Sequence, residues 1–192
     1  MLMQGKRVRQ ARGFTLTEAA VVLGIIGMIL GAVWVAAGSV YDGLRNKRAN
    51  EEMLSIVQGV RSLFASSGTT NTTNNMNADL IKARIIPADM VTSTTTISNP
   101  WGGAVDVVGQ QISAAGDAFS VSFAAVPQAA CARVVMAVGG RSRDPGLLSV
   151  ALTTASVNNG VPVSNEYNLA AANTLCANAT NTVVFTFLTR AS

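Results

Sequence analysis

Residues 12–41 read RGFTLTEAAVVLGIIGMILGAVWVAAGSVY, and this stretch decides the architecture of the chain. No charged side chain occurs between Glu18 and Asp42. About 20 apolar residues in a helix, with a rise of roughly 1.5 Å each, span the hydrocarbon core of a bilayer. Because the apolar region of a cleavable secretory signal is shorter, about 7 to 15 residues, we expect a retained transmembrane helix over 14–41.

A basic segment precedes the apolar run. The chain carries 14 Lys and Arg against 10 Asp and Glu, and four of these basic residues lie within residues 1–13. They are Lys6, Arg7, Arg9 and Arg12. Positive residues beside an apolar helix stay on the cytoplasmic side of the membrane, so we interpret 1–13 as a leader peptide. Without it the side-chain charges balance, and direct binding of nucleic acid is not expected.

The helical pattern continues beyond the apolar run. Over 42–64, apolar residues recur at spacings of three and four, which is typical of an amphipathic helix. They are Ala49, Met53, Ile56, Val57, Val60, Leu63 and Phe64. Polar residues are assigned to the other side: Asn46, Asn50, Glu51, Glu52, Ser55 and Arg61. We expect one nearly continuous helix from about Phe14 to Phe64, with a possible bend at Asp42 and Gly43.

The rest of the chain predicts a loop followed by a sheet. A Ser, Thr and Asn tract opens a loop region over 65–103, which contains a short helix from Ala78 to Arg84 with Asn77 as its cap. Within 104–192, alternation over 104–108, 119–124 and 183–188 predicts an antiparallel sheet. Two apolar segments, 129–138 and 169–177, are compatible with helices or strands. The expected fold class is therefore α+β, with a long N-terminal helix packed on an antiparallel sheet.

Cysteine and histidine usage limits the chemistry. Cys131 and Cys176 are the two cysteines, and there is no histidine. In an exported domain they favour one disulfide, which would contribute roughly 4 kcal/mol in the chain-entropy model. The alternative is a pair of buried free thiols. The sequence also lacks a metal-ligand cluster and a phosphate-binding glycine loop, so we expect no catalytic residue, metal site or cofactor, and no enzymatic activity.

The motif at the start of the apolar run carries a family resemblance. Arg12, Gly13, Phe14 and Glu18 stand in an order that resembles the type IV pilin family. In that family a prepilin peptidase cuts after a leader glycine, the new N-terminal residue is methylated, and the fifth residue after the cut is Glu. The resemblance implies cleavage between Gly13 and Phe14, N-methylation of Phe14 and an assembly role for Glu18.

Glu18 is also unusual on physical grounds. An ionised carboxylate at the end of a lipid-embedded helix costs several kcal/mol unless it is paired or near the interface. The new amine at Phe14 of a neighbouring subunit could pair with it and help to set the axial register. Alternatively, Glu18 lies at the level of the lipid headgroups and stabilises the helix N-terminus electrostatically.

Several glycines lie within the apolar run. Gly24, Gly27 and Gly31 could allow close approach of a neighbouring helix. Glycine is also common in membrane helices, so helix packing and chance occurrence are both open interpretations.

Two further segments indicate the subclass. Residues 80–90, LIKARIIPADM, and residues 99–103, NPWGG, look like type IVb pilins, including the thin-pilus subunits of conjugative plasmids. A thirteen-residue leader and Phe14 instead suit type IVa pilins. Type IVa pilins usually carry a proline where this chain has Val35, however, and its absence favours type IVb.

The resemblance implies a structural subunit of a type IV pilus. The precursor would reside in the inner membrane, be cut by prepilin peptidase and be extracted by an assembly ATPase and its membrane platform into an extracellular helical homopolymer. The alternatives are a pseudopilin of a type II secretion system and a monomeric membrane-tethered binding module. The sequence does not distinguish adhesion, conjugation, motility, DNA uptake or secretion as the purpose of the filament.

Overall fold

The computed structural model describes residues 15–70, 74–140, 144–152, 161–162 and 169–190. Its helices are α1 (Leu16–Leu63), α2 (Asn77–Lys82), α3 (Gln128–Gly139) and α4 (Leu169–Leu175). Its strands are β1 (Ile97–Ser98), β2 (Ala104–Gln111), β3 (Ala115–Pro127), β4 (Leu147–Leu152), β5 (Val161–Pro162) and β6 (Thr180–Leu188). The chain divides into two compact units, one ending at Tyr41 and the other beginning at Asp42.

The long helix α1 has two parts of different character. Its membrane half, residues 16–41, contains an apolar stretch of which nothing is buried. Its domain half, residues 42–63, carries a buried face. Helical structure is continuous through Asp42 and Gly43, so the predicted helix is confirmed and its junction is not a break in the helix.

The domain half of α1 supplies one side of the core of the second unit. Five residues of the predicted apolar stripe are fully or almost fully buried: Ala49, Met53, Ile56, Val57 and Val60. Leu63 lies outside this core because it is exposed, and Phe64 is half-buried against it. Asn46 and Glu52, which the sequence assigned to the polar side, are buried instead. The buried face is therefore wider than the apolar stripe.

An antiparallel sheet forms the other side of the core. Among the described residues its strand order is β1-β2-β3-β6-β4-β5, with β3 and β6 in the middle. These two strands carry large buried aromatic residues: Phe119, Phe123, Phe185 and Phe187. The rings of Phe119 and Phe187 stack with their centroids 5.8 Å apart. The predicted alternating segments are β2, β3 and β6, which confirms the α+β fold class.

The two ambiguous segments around the cysteines are helices α3 and α4. Their buried cysteines form the disulfide Cys131–Cys176, with a Cα–Cα distance of 5.8 Å. In α3 the buried residues follow a helical spacing, since Cys131 lies one turn from Val134 and Val135. The disulfide thus joins α3 to the residue that directly follows α4, and the alternative of free thiols is wrong.

Asn77 does not cap the short helix α2, in contrast to the sequence-based prediction. The cap position is Met76, with no side-chain cap hydrogen bond, and α2 ends at Lys82 rather than Arg84. Asn77 is buried, its Nδ2 donates to the Val105 carbonyl at 2.9 Å, and its Oδ1 accepts from the Val107 N–H at 2.9 Å. Because β1 pairs with only the first part of β2, the exposed edge of β2 takes its partners from this segment.

A bidentate ion pair connects α1 to the segment that follows α3. Nη1 and Nη2 of Arg61 bind the two carboxylate oxygens of Asp144 at 2.6 and 2.9 Å, and Nε donates to the Leu188 carbonyl at 3.1 Å. The hydrogen bond from Arg61 lowers the pKa of Asp144 despite its partial burial. Charge-assisted pairs of this geometry are the stronger kind, so the pair fixes α1 to the segment before β4, and the Nε hydrogen bond adds a link to β6.

Replacing Asn77 by Ala should destabilise the second unit by about 2 kcal/mol. The substitution leaves the Val107 N–H without its partner and removes one hydrogen bond from the Val105 carbonyl. A buried unsatisfied group costs roughly 1–3 kcal/mol. Denaturant unfolding of the full chain in detergent measures the loss. Asp79→Ala, at an exposed position of the same helix, is the control and should change stability by less than about 0.5 kcal/mol. Equal effects of the two substitutions would contradict the edge-capping role.

Candidate assembly surface

The membrane half of α1 presents large apolar side chains on all sides. Those exposed are Leu16, Val21, Val22, Leu23, Ile25, Ile26, Met28, Ile29, Leu30, Val33, Trp34, Val35, Val40 and Tyr41. Among the described residues, α1 is the helix long and apolar enough to cross a membrane, by length and composition. Contiguous apolar surface of this size marks a lipid or protein contact.

Glu18 lies in the first turn of this helix, where it forms two hydrogen bonds with Thr15. The Glu18 N–H donates to Oγ1 of Thr15 at 3.3 Å, and the Thr15 hydroxyl donates to Oε2 of Glu18 at 3.3 Å. Thr15 directly precedes the first helical residue, Leu16. A carboxylate here also interacts favourably with the helix dipole. Thr15 was not among the predicted site residues, although the Thr-x-x-Glu spacing was the signal for it.

The predicted helix-packing glycines lie on the membrane half of α1. An added Cβ at Gly24, Gly27 or Gly31 would meet no atom within 4 Å in the described part of the chain, leaving aside the adjacent helical backbone. Nothing in the described subunit therefore requires glycine at these positions. Their role in packing against a neighbouring helix stays a prediction.

The remaining predicted site residues divide between the two units. Gly13 and Phe14 lie outside the described residues, so their roles in processing and methylation stay predictions. Cys131 and Cys176 form their disulfide in the second unit. Within the described ranges, no group of three or more His, Cys, Asp or Glu side chains could hold a metal ion.

The apolar helix, the sheet that covers its domain half and the disulfide define the class of a type IV pilin subunit. The family model described as a prokaryotic N-terminal methylation motif matches residues 8–34. The model described as PilS N terminal matches residues 44–188, which is more than half of the chain. The chain therefore belongs to the PilS family of type IVb pilins, and the subclass prediction is confirmed. Proteins of this class are structural rather than enzymatic.

Solved structures share the fold at low sequence identity. The crystal structure of a type IVb pilin from Salmonella typhi is 20% identical and covers 71% of this chain and 95% of its own, with a TM-score of 0.56. The crystal structure of TcpA, a type IV pilin from Vibrio cholerae El Tor biotype, is 22% identical and covers 74% of this chain and 97% of its own, with a TM-score of 0.52. No curated relative matches the chain.

Removing the disulfide with Cys131→Ser and Cys176→Ser should lower the free energy of unfolding of the second unit by about 4 kcal/mol. The physical reason is that the bond closes a 45-residue interval in the unfolded chain. Denaturant unfolding of the full chain in detergent measures this loss. A reductant should reproduce the loss in the unaltered chain and have no effect on the double variant. An unchanged midpoint in both experiments would contradict a stabilising disulfide.

Proposed function

We propose that this chain is the precursor of a structural subunit of a type IV pilus, which polymerises through α1. The observation that carries the proposal is the membrane half of α1, whose apolar side chains have no cover within the described subunit. A monomer in water would not tolerate such a surface. Lipid before assembly and neighbouring copies of the same helix after assembly would each cover it.

The first step is insertion into the inner membrane. The four basic residues of the leader, 1–13, hold the N-terminus in the cytoplasm, and the apolar helix over 14–41 spans the bilayer. The second unit then lies on the outer side of the membrane, where the disulfide between Cys131 and Cys176 is stable.

The second step is processing. Prepilin peptidase removes the leader between Gly13 and Phe14, and the new amine at Phe14 is methylated. The match of the N-terminal methylation motif to residues 8–34 supports this step. Cleavage brings the net side-chain charge to zero, because ten basic and ten acidic side chains remain. The helix then leaves the membrane without carrying this cationic segment through the bilayer.

The third step is polymerisation, driven by an assembly ATPase and its membrane platform. Lipid tails are as apolar as the side chains of α1, so transfer from lipid to filament gains little hydrophobic energy. Close packing between helices therefore has to stabilise the filament relative to the membrane. Gly24, Gly27 and Gly31 leave room for a neighbouring helix. The carboxylate of Glu18 pairs with the Phe14 amine of the adjacent subunit. The product is an extracellular helical filament of this chain.

The rival functions explain less of the molecule. A monomeric tether gives no reason for the processing motif around Gly13 and Glu18. A pseudopilin of a type II secretion system would share the motif, but the match to the PilS family over residues 44–188 favours the pilus subunit. Electron microscopy of host cells with and without the gene tests the proposal, since filaments should disappear when this chain is absent.

Replacing Gly13 by Leu should block removal of the leader, because a side chain at the cut site obstructs the peptidase. Mass spectrometry of the purified protein should detect the intact N-terminus instead of a methylated Phe14. Gly5→Leu, which alters the other glycine of the leader, is the matched control and should be processed normally. A mature N-terminus at Phe14 in the Gly13→Leu variant would remove the proposed cleavage site.

Replacing Glu18 by Ala or Gln should leave leader removal intact and reduce filament yield at least tenfold, which corresponds to a loss of about 1.4 kcal/mol. Gln keeps the backbone N–H that donates to Thr15 and a side-chain oxygen that can accept from its hydroxyl, but it lacks the charge. The two interpretations of Glu18 therefore separate. Loss of filaments in both variants supports pairing with the Phe14 amine, whereas normal filaments from Glu18→Gln would reduce its role to helix capping. Glu51→Gln, an exposed carboxylate on the same helix, is the control.

A further inference from the structure

Glu52 is a buried carboxylic acid in the domain half of α1. Glu52 is only 6% exposed, and it lies beside the core residues Met53 and Ile56 on the helix. Its Oε2 atom is buried and has no hydrogen-bond partner among the described residues. An ionised carboxylate in such a place costs several kcal/mol, so the protonated form is favoured.

Residues 83–91 follow α2 and lie beside this face of α1; they are named here the connecting segment. At one end its Ile85 side chain occupies the space that a Cβ at Gly59 would need. At the other end Asp89 pairs with Arg48 at 3.4 Å. Arg48, Glu52 and Gly59 share a helical face by their spacing of four and seven residues. The connecting segment therefore crosses the position of Glu52.

Burial and the neighbouring charges together determine the pKa of Glu52. Burial is the main cause that raises the pKa of Glu52 to about 7, and the nearby carboxylate of Asp89 adds to the increase. Arg48 opposes the increase, and Glu51 contributes slightly to it. These are the charged groups that α1 and the connecting segment direct at Glu52. Glu51 is itself paired with Lys47 at 3.7 Å.

We propose that Glu52, Arg48 and Asp89 form a proton-operated latch, which holds the connecting segment on α1 while Glu52 is protonated and loosens it when Glu52 ionises. An ionised Glu52 gains hydration when the segment lifts. It also repels Asp89 and competes with it for Arg48. The Arg48–Asp89 pair is 63% and 52% exposed, so it contributes little on its own and exchanges partners at small cost.

The direction of the pH dependence follows from proton binding. The closed form holds the proton of Glu52 up to a pH of about 7, whereas an open form releases it near its ordinary pKa of 4.5. The closed form is therefore most stable in acid and loses stability as the pH rises through 7. Between pH 5.5 and 8 these two pKa values predict a roughly 25-fold increase in the opening equilibrium.

Hydrogen exchange of the full chain in detergent micelles measures this opening. The informative amides are those of Ile85, Met90 and Ser98, which donate to the carbonyls of Leu80, Pro87 and Met90 at 3.0, 3.1 and 2.8 Å. After correction for the intrinsic pH dependence of exchange, their protection should fall about 25-fold between pH 5.5 and 8. Glu52→Gln should abolish this fall. Glu51→Gln, the exposed neighbour, should preserve it.

Two results would overturn the latch. The first is a pH-dependent loss of protection in the connecting segment that persists in Glu52→Gln. The second is an equal loss in peptides that cover residues 118–123 of the central strand β3, because Glu52 would then destabilise the whole unit rather than release one segment. A fall confined to the connecting segment and to the Ser98 amide that donates to Met90, present in the unaltered chain and absent in Glu52→Gln, supports the latch.

Discussion

The architecture depends on one constraint: a single helix has to be stable in lipid along one half and against a protein core along the other. A helix can span lipid because its backbone polar groups bond within the helix, and the membrane half of α1 adds no charged side chain between Glu18 and Asp42. From Asn46 onward the same helix meets protein on one face. The sheet and the short helices complete the core around that face, so they depend on where the apolar pattern narrows from the full circumference to a stripe.

Local signals predicted the elements that are long or strongly patterned. The uncharged run and the spacing of three and four gave α1, and strict alternation gave β2, β3 and β6. Helices α3 and α4 could not be distinguished from strands because short apolar segments fit either period. The role of Asn77 depends on the unpaired edge of β2, about 30 residues away. Such a partner is created by the sheet and has no local signal.

In the candidate site, too, features formed by residues close in sequence could be predicted, whereas contacts between distant residues could not. The processing motif and Glu18 are consecutive in the chain, and Thr15 could have been found from its spacing alone. The sequence placed Glu52 on the polar side because the spacing of three and four identifies a single apolar stripe along the helix. The structure packs a second layer, the connecting segment, beside that stripe. The ion pair between Arg61 and Asp144 joins positions 83 residues apart, a contact that no periodicity in a single sequence reveals.

The distribution of buried residues also bears on the proposed assembly. Within the described part of the chain, every core residue lies at Ala49 or later, and none comes from the membrane half of α1. Packing of the second unit therefore does not depend on what surrounds residues 16–41. In the proposed assembly, lipid and neighbouring helices compete for a part of α1 that contributes no residue to this core, so exchanging one for the other would not require the sheet domain to refold.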